Sequence, residues 1–251
     1  MKTLADILFE QGFGTRHDCR SIVSAGAVEV EGRVADDPDE RFDEDGMRFT
    51  YRGETWPVVE HAIIALYKPA GYECSMKPSA HPSVMTLLPG QLRRRNVQPV
   101  GRLDVDTTGL LLMTDDGALQ HRLIHPKRHV PKVYEVTLKH PAAPDLCEKL
   151  TAGVVLDDDP KPVAAKAAEL VTPTHLRMTL VQGKYHQVKR MVAACSNRVE
   201  ALHRSAFGAY RLPEDMKPGE WRWILDRSEV LCGCSSSASA RGCRCCSSWG
   251  P

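Results

Sequence analysis

Hydrophobic residues in the first part of the chain recur at the spacing of an amphipathic helix. Apolar positions three to four residues apart in Leu4–Leu8 predict a first helix, which ends at the glycines that follow. Thr15 is a favourable N-cap for a second helix over Arg16–Ala25. Alternating apolar and polar residues in Val28–Arg33 then predict a short strand that leads into a turn. Together these elements predict a small separate unit over residues 1–60.

From residue 61 to residue 231 the pattern changes to short apolar runs that alternate with helical segments. The predicted strands are Ala62–Tyr67, Pro99–Arg102, Leu110–Thr114, Val133–Lys139, Val163–Val171, His175–Val181 and Arg198–Leu202. The predicted helices are Ser83–Leu88, Ala118–His125, Pro144–Ala152 and His186–Cys195. Because hairpin-length and helical connections join these strands in mixed order, the pattern predicts an α+β fold with a mixed sheet, not a doubly wound α/β fold.

The last twenty residues differ in composition from the rest of the chain. Residues 232–251 hold five of the nine cysteines among mostly Ser, Gly, Ala and Arg. They contain no His, Asp or Glu, and their cysteines do not form paired C-x-x-C motifs, so a metal-binding knuckle is the weaker interpretation. The composition favours a disordered or aberrant tail. Four scattered cysteines in the body, and no apolar run long enough for a membrane span or signal peptide, predict a cytoplasmic protein without a membrane partner.

Charge is distributed unevenly between the two predicted units. Residues 1–60 contain 7 Lys/Arg and 14 Asp/Glu, a net charge of −7, whereas residues 61–231 contain 24 and 18, a net charge of +6. A basic body suits a polyanionic partner such as nucleic acid, although the excess is small for its length.

The stretch Gly101–Gly117 places two carboxylates, two hydroxyls and a glycine between two predicted strands. A loop held by a rigid scaffold often displays functional groups. From the residues alone, a catalytic or metal-binding loop is as well supported as a connection whose Asp and Thr side chains only satisfy backbone N–H groups.

The sequence of this stretch, G-R-L-D-x-D-T-T-G-L-L-L-M-T-D-D-G, closely resembles the signature of the RsuA-type pseudouridine synthases. The resemblance implies that Asp104 is the catalytic carboxylate and that Asp106 is not. It implies a mixed, mostly antiparallel curved sheet flanked by helices. It also implies a monomer that isomerises a uridine of ribosomal RNA, in the 16S rRNA of the small subunit, without a cofactor or metal.

Further segments resemble motifs of the same family, and the match extends over about His61–Leu225. In K-V-Y-E-V, the resemblance implies that Tyr134 lies against the target base. In G-K-Y-H-Q-V-K-R-M, it implies that Lys189 pairs with the catalytic aspartate, and in A-L-H-R that Leu202 packs beside the pocket. The K-P-A-G-Y and H-P-S-V segments near the start of the body resemble two more motifs of the family.

The N-terminal unit resembles the alpha-L RNA-binding domain, the S-four type, over about Lys2–Arg48. The resemblance implies that Arg16, Arg20 and Arg33 contact RNA. Because the unit as a whole is acidic, a solvated helix pair without RNA contact remains an alternative. In the body, Arg102 is expected to bind substrate beside Asp104. The candidates for phosphate contacts are Arg93, Arg94, Arg95, Lys127 and Arg128.

Other functions were weighed against an isomerase. A magnesium cluster of Asp104, Asp106, Asp115 and Asp116 is disfavoured because a strand of roughly 17 Å separates the two pairs. A zinc site of His121, His125 and His129 is disfavoured because Pro126 should end the helix that would align them. A non-catalytic RNA-binding or ribosome-assembly factor on the same fold, and a synthase acting on large-subunit rRNA, remain alternatives.

Overall fold

The computed structural model describes residues 1–157 and 159–231. The cysteine-rich tail, Cys232–Pro251, for which the sequence predicts disorder, lies outside the described residues. The first eight elements are β1 (Lys2–Thr3), α1 (Leu4–Glu10), α2 (Arg16–Ser24), β2 (Val28–Val30), β3 (Arg33–Ala35), β4 (Arg41–Phe42), β5 (Arg48–Tyr51) and β6 (Glu54–Pro57). Strands β3, β2, β5 and β6 form an antiparallel sheet in that order, and β1 pairs with β4.

Local sequence signals explain the two N-terminal helices. Thr15 and Asp18 form a capping box at the start of α2, in which each side chain accepts a hydrogen bond from the backbone N–H of the other residue. The apolar face of α1 is fully buried, as its spacing predicts. Phe13, in the turn between the helices, packs edge-on against Phe49, Tyr51 and Trp56, each with its ring centroid 5.2 Å away. This aromatic cluster joins the helices to the small sheet.

The body of the chain contains both sheet and helix. Its strands are β7 (Ile63–Lys68), β8 (Gln98–Pro99), β9 (Thr108–Thr114), β10 (Lys132–Leu138), β11 (Val154–Leu156), β12 (Asp159–Val163), β13 (Ala167–Thr172), β14 (His175–Leu180), β15 (Val199–Phe207), β16 (Tyr210–Arg211) and β17 (Trp221–Trp223). Its helices are α3 (Gly90–Arg94), α4 (Gly117–Ile124), α5 (Leu146–Ala152), α6 (Gln187–Ala194) and α7 (Ser228–Leu231). Two 3₁₀ turns span Val84–Leu87 and Pro126–Arg128.

Within residues 1–157 and 159–231, nine strands form the main sheet. Seven lie in the order β13-β14-β10-β15-β9-β7-β17, with β16 beside β15 and β8 beside β9. All of the pairs are antiparallel except β9 with β15. The register between β10 and β15 shifts twice, and such irregularities bend a strand. The predicted α+β fold with a mixed, mostly antiparallel sheet is confirmed.

The parallel contact between β9 and β15 depends on Gly109. Its φ is +105°, a conformation that favours glycine, and it lies opposite Arg204 in the register. A Cβ atom at this position would overlap the backbone of Arg204. Glycine therefore lets β15 approach the end of the loop that carries Asp104.

Some element boundaries differ from the predicted ones. The expected helix over Ser83–Leu88 is a 3₁₀ turn, Val84–Leu87, with Ser83 as its cap. Helix α3 and strand β17 were not predicted, because five and three residues are too few to show a hydrophobic period.

The N-terminal unit is fastened to the body by aromatic packing and by one arginine. The ring of Trp56 lies 6.2 Å from that of Trp221 and 6.0 Å from that of Trp223. Arg95 donates to Oδ2 of Asp115 (2.7 Å), to the carbonyls of Val59 (3.1 Å) and Glu60 (2.8 Å), and to the side chain of Gln11.

The phosphate contact suggested for Arg95 is therefore wrong, because its side chain is 5% exposed and is occupied by protein partners. Across the described parts of the chain, no helix is both long and apolar enough to cross a membrane.

Candidate active site

The loop that carries Asp104 lies between β8 and β9 and is held from below by a buried lysine. Lys68, at the end of β7, is fully buried, and its Nζ donates to the carbonyls of Pro69 (3.0 Å), Val105 (3.1 Å) and Thr107 (2.8 Å). Burial lowers the pKa of Lys68, and nearby negative groups only partly oppose this effect. Three carbonyl acceptors satisfy its three N–H donors, so the loop is fixed around one side chain.

Asp104 projects from this loop towards the start of α6. Its Oδ1 lies 3.3 Å from Nε2 of His186, and its Oδ2 lies 3.6 Å from Nζ of Lys189. The side chain is 27% exposed, so it faces a cavity and is not sealed in the core. A carboxylate with a cation on one side and an imidazole on the other has a fixed orientation and an open face for a substrate.

Lys189 contacts two carboxylates. Its Nζ lies 2.7 Å from both oxygens of Asp106, closer than to Asp104. Burial disfavours ionisation of Asp106, but the hydrogen bonds and charge of Lys189 outweigh it, so the pKa of Asp106 lies below its usual value. The lysine that the sequence predicts beside Asp104 is therefore present, and Asp106 holds it in place.

A small cavity beside Asp104, called the base pocket below, is lined by both apolar and polar side chains. Tyr134, on β10, is 9% exposed and lines this cavity together with Leu202 from β15. Leu180 and Val188 add apolar surface to the lining, and Thr107, Gln182 and Gln187 add polar groups. An aromatic face and an aliphatic wall can enclose a flat heterocycle while the carboxylate stands at the rim.

Asp104 stands where three cavities meet. The base pocket, a second cavity of about 500 Å³ and a third of about 320 Å³ all share Arg102, Asp104 and His186 as lining residues. The second cavity also contacts Lys189 and Asp106, and the third extends from Tyr134 towards Lys132. The three cavities therefore share one wall that carries Asp104.

Arg102 is exposed at this junction. Among the described residues, no carboxylate lies within ion-pair distance of its guanidinium, in contrast to Lys189. An arginine of this kind is available to an anionic substrate, as expected from the sequence.

His186 is a site residue that the sequence reasoning missed. It precedes α6 with a φ of +47°, a left-handed conformation, and its ring stacks on that of Tyr185 with centroids 3.8 Å apart. Tyr185 is 67% exposed, so the pair presents an aromatic surface at the mouth of the second and third cavities. The signal was available, because both residues lie in the motif from which only Lys189 was chosen.

The three N-terminal arginines lie on a different part of the molecule. Arg20 forms two hydrogen bonds of 2.7 and 2.8 Å with Asp39, Arg33 pairs with the adjacent Glu40, and Arg16 pairs with Asp6. The pairs are largely exposed. Arg20 and Arg33 thus share one surface, and an RNA would have to compete with carboxylates for them.

Asp115 and Asp116, which were considered as metal ligands, have other partners. Asp115 pairs with Arg95 and accepts from the backbone of Ala62, while Asp116 caps α4 and pairs with Arg227. Over residues 1–157 and 159–231, no group of three or more His, Cys, Asp or Glu side chains is arranged to hold a metal ion.

Comparison with known families agrees with this geometry. The profile of the family described as RNA pseudouridylate synthase matches residues 62–194, more than half of the chain, and that of the S4 domain matches residues 2–47. The first range contains Asp104, Tyr134 and Lys189, and the second contains Arg16, Arg20 and Arg33.

Individual relatives extend the match beyond these ranges. An uncharacterized RNA pseudouridine synthase of Bacillus subtilis, YtzG, is 39% identical over 227 residues, covering 89% of this chain and 95% of its own length. Ribosomal small subunit pseudouridine synthase A of Salmonella typhimurium is 45% identical over 168 residues, covering 67% of this chain and 72% of its own. A crystal structure of a pseudouridylate synthase superposes with a TM-score of 0.64 at 31% identity, covering 92% of this chain and 98% of that one.

Proposed function

This chain belongs to the RNA pseudouridylate synthase family, and from that premise we propose that it converts one uridine of 16S ribosomal RNA into pseudouridine, with Asp104 as the catalytic carboxylate. The observation that carries the proposal is the position of Asp104 at the rim of a pocket walled by Tyr134 and Leu202. The choice of small-subunit RNA is supported by the 45% identity to a synthase named for that subunit.

The reaction requires little more than this pocket supplies. The bond between uracil N1 and ribose C1′ breaks, the base turns, and C5 joins C1′; the C5 proton leaves and N1 gains a proton. Nothing is oxidised or lost from the nucleoside. A carboxylate can attack covalently or stabilise the positive charge that develops on the sugar as the first bond breaks. His186 and Lys189 orient Asp104 for this step.

Tyr134 and Leu202 would hold the detached base during its rotation. Tyr134 offers a flat apolar face, so the ring of uracil can turn in its own plane without losing contact. The hydroxyl of Tyr134 is a candidate for the proton movements that follow. Leu202 limits the space on the other side of the cavity.

The uridine must leave its stack to reach Asp104. Extrusion costs a few kcal/mol, which contacts elsewhere must offset. Arg102 is positioned to contribute, because it lines all three cavities that meet at Asp104. A monomer, as expected from the sequence, is part of the proposal. A ribosomal RNA substrate agrees with the cytoplasmic location expected from the sequence.

Mapping of pseudouridine in rRNA tests the proposal. Cells that lack the protein should lose one pseudouridine from 16S rRNA, and a plasmid copy of the wild-type gene should restore it. The Asp104→Asn variant should bind rRNA as wild type does and restore nothing, because its shape is kept but its charge is lost. Restoration by Asp104→Asn would remove Asp104 from the mechanism. Loss of a large-subunit pseudouridine instead would refute the choice of RNA, and unchanged maps would favour a non-catalytic factor.

A further inference from the structure

Two cations, the half-buried Lys132 and the buried Arg204, line the third cavity. Nζ of Lys132 and Cζ of Arg204 each lie 5.1 Å from the ring centroid of Phe207. Arg204 is 1% exposed; its Nε donates to the carbonyl of Leu110 at 2.8 Å, and its Nη2 is buried without a hydrogen-bond partner. Lys132 donates to the carbonyl of Val130 at 3.0 Å.

These two charges are not neutralised by the protein around them. In the described part of the chain, no carboxylate lies within ion-pair distance of either side chain. Burial and, to a smaller extent, repulsion by Arg204 together lower the pKa of Lys132 to about 8. Paired charges are the rule in protein interiors, and unpaired ones cost free energy of folding. A pair of like charges that is kept at such a cost indicates an anion that is absent from the free protein.

The cavity in front of these cations continues directly from the base pocket. Its volume is about 320 Å³, and Tyr134 and Asp104 belong to the lining of both spaces. Lys132 and Arg204 line this cavity together with Asp104, and their positive charge attracts a negative group that the carboxylate repels. Arg102, also in the lining, adds a third cation.

We propose that Lys132 and Arg204 form a subsite for one backbone phosphate of the RNA, the phosphate next to the uridine that enters the base pocket. Lys132 makes the direct contact through Nζ, and Arg204 adds its charge from behind. The inference rests on the proposed function, which supplies the ligand: the phosphodiester is the anionic group of an RNA. The subsite fixes the ribose of the target nucleotide relative to Asp104 by holding the chain at one side of it.

The salt dependence of RNA binding tests the subsite independently of catalysis. Transcribed 16S rRNA is titrated against the protein in the Asp104→Asn background, in which no product forms. Adding Lys132→Met should reduce the slope of log Kd against log salt by about 0.7, the value for one phosphate contact on a single strand. Lys132→Arg should keep the slope. Lys139→Met, an exposed lysine just after β10, is the matched control and should leave it unchanged.

Thermal unfolding separates a binding role from a structural one. Because Lys132→Met removes a half-buried charge without a carboxylate partner, its melting temperature should equal or exceed that of the parent protein. An unchanged salt slope in Lys132→Met, or an equal loss in Lys139→Met, would overturn the subsite. If the slope falls as expected while cells without the protein keep all their rRNA pseudouridines, the subsite stands and the proposed reaction fails.

Oligonucleotides with an uncharged phosphate analogue identify which phosphate of the RNA contacts Lys132. Once the target uridine is mapped, oligonucleotides carry a methylphosphonate at the phosphate on its 5′ or its 3′ side. One of the two should weaken binding by the protein that retains Lys132 and have no further effect on Lys132→Met, because both changes remove the same contact. Equal losses in both proteins at both positions would contradict the proposal.

Discussion

Nζ of Lys189 lies 2.7 Å from both carboxylate oxygens of Asp106, so the second acid of the loop, and not the candidate catalytic one, holds this lysine most tightly. Asp104 receives the same charge at 3.6 Å. The arrangement gives Asp106 a positioning role: it keeps the cation at the rim of the site without occupying the base pocket.

Replacement of Lys189 should impair the reaction more than replacement of Asp106. Lys189→Met leaves Asp104 without its cation, and loss of one electrostatic partner at an active site typically lowers kcat about 100-fold. Asp106→Asn should keep most of the activity, since its amide oxygen still accepts from Lys189. Single-turnover assays on 16S rRNA measure both variants. Equal losses in the two would mean that Asp106 takes part in the chemistry.

Loss of Arg95 should destabilise the whole protein. Its hydrogen bonds join the N-terminal unit, the connection at residues 59–60 and Asp115 of the body. Arg95→Met leaves Asp115, which is 11% exposed, without that partner, and breaking a buried pair costs about 3–5 kcal/mol. Denaturant unfolding measures the loss. The exposed neighbour Arg93 provides the control, since Arg93→Met should change the free energy of unfolding by less than about 0.5 kcal/mol.

The N-terminal arginines give two predictions of opposite sign on one surface. Replacing Arg16, Arg20 and Arg33 together with Ala should weaken rRNA binding and flatten its salt dependence. Asp39→Asn should strengthen binding, because it releases Arg20 from a carboxylate that competes with the RNA. Titrations in the Asp104→Asn background measure both effects. An unchanged salt slope in the triple variant would mean that this surface does not contact RNA.

Part of the site could be assembled from the sequence because its residues belong to long, specific motifs. Asp104, Tyr134 and Leu202 line one cavity as predicted. His186 lies in a recognised motif, but its approach to Asp104 also depends on a left-handed backbone angle of its own, which the motif does not show.

Long-range pairing explains the other omissions. Arg204 is buried because β15 pairs in parallel with β9. These two segments are almost a hundred residues apart in the sequence, so no local hydrophobic pattern predicts their contact. Lys68 belongs to the K-P-A-G-Y motif, but the sequence alone does not show that its side chain holds the loop of Asp104 through backbone carbonyls. The run of three consecutive arginines suggested phosphate contacts, but the side chain of Arg95 is buried between the N-terminal unit and the body.

Acid should weaken the fold at a half-buried histidine before it affects most carboxylates. His203 Nδ1 is hydrogen-bonded to Thr108 at 2.9 Å, and burial lowers the pKa of His203 below 6.5, partly opposed by Glu135. The unfolded chain therefore binds this proton more readily than the folded one. The stability that neutral His203 contributes is complete above pH 6.5 and is lost as the pH falls through the lower, folded-state value.

Melting temperatures measured against pH check this expectation. The wild type should lose stability below pH 6.5, and His203→Phe should show a flatter curve over the first part of that range. Parallel curves would show that His203 has the same pKa in the folded protein as in the unfolded chain.

The three carbonyls that accept hydrogen bonds from Lys68 indicate that the RNA, and not the loop of the protein, changes conformation on binding. If the loop around Asp104 swung outward, a cation inside the protein would lose the acceptors in that loop, and an unsatisfied buried charge is costly. The loop therefore behaves as a fixed receptor and not as a lid, and the conformational work falls on the RNA. A uridine that is already unstacked, in a bulge or in a rRNA whose helices have not yet closed, reaches this receptor at lower cost than one in a finished duplex. The timing of modification would then be set by how far the RNA has folded.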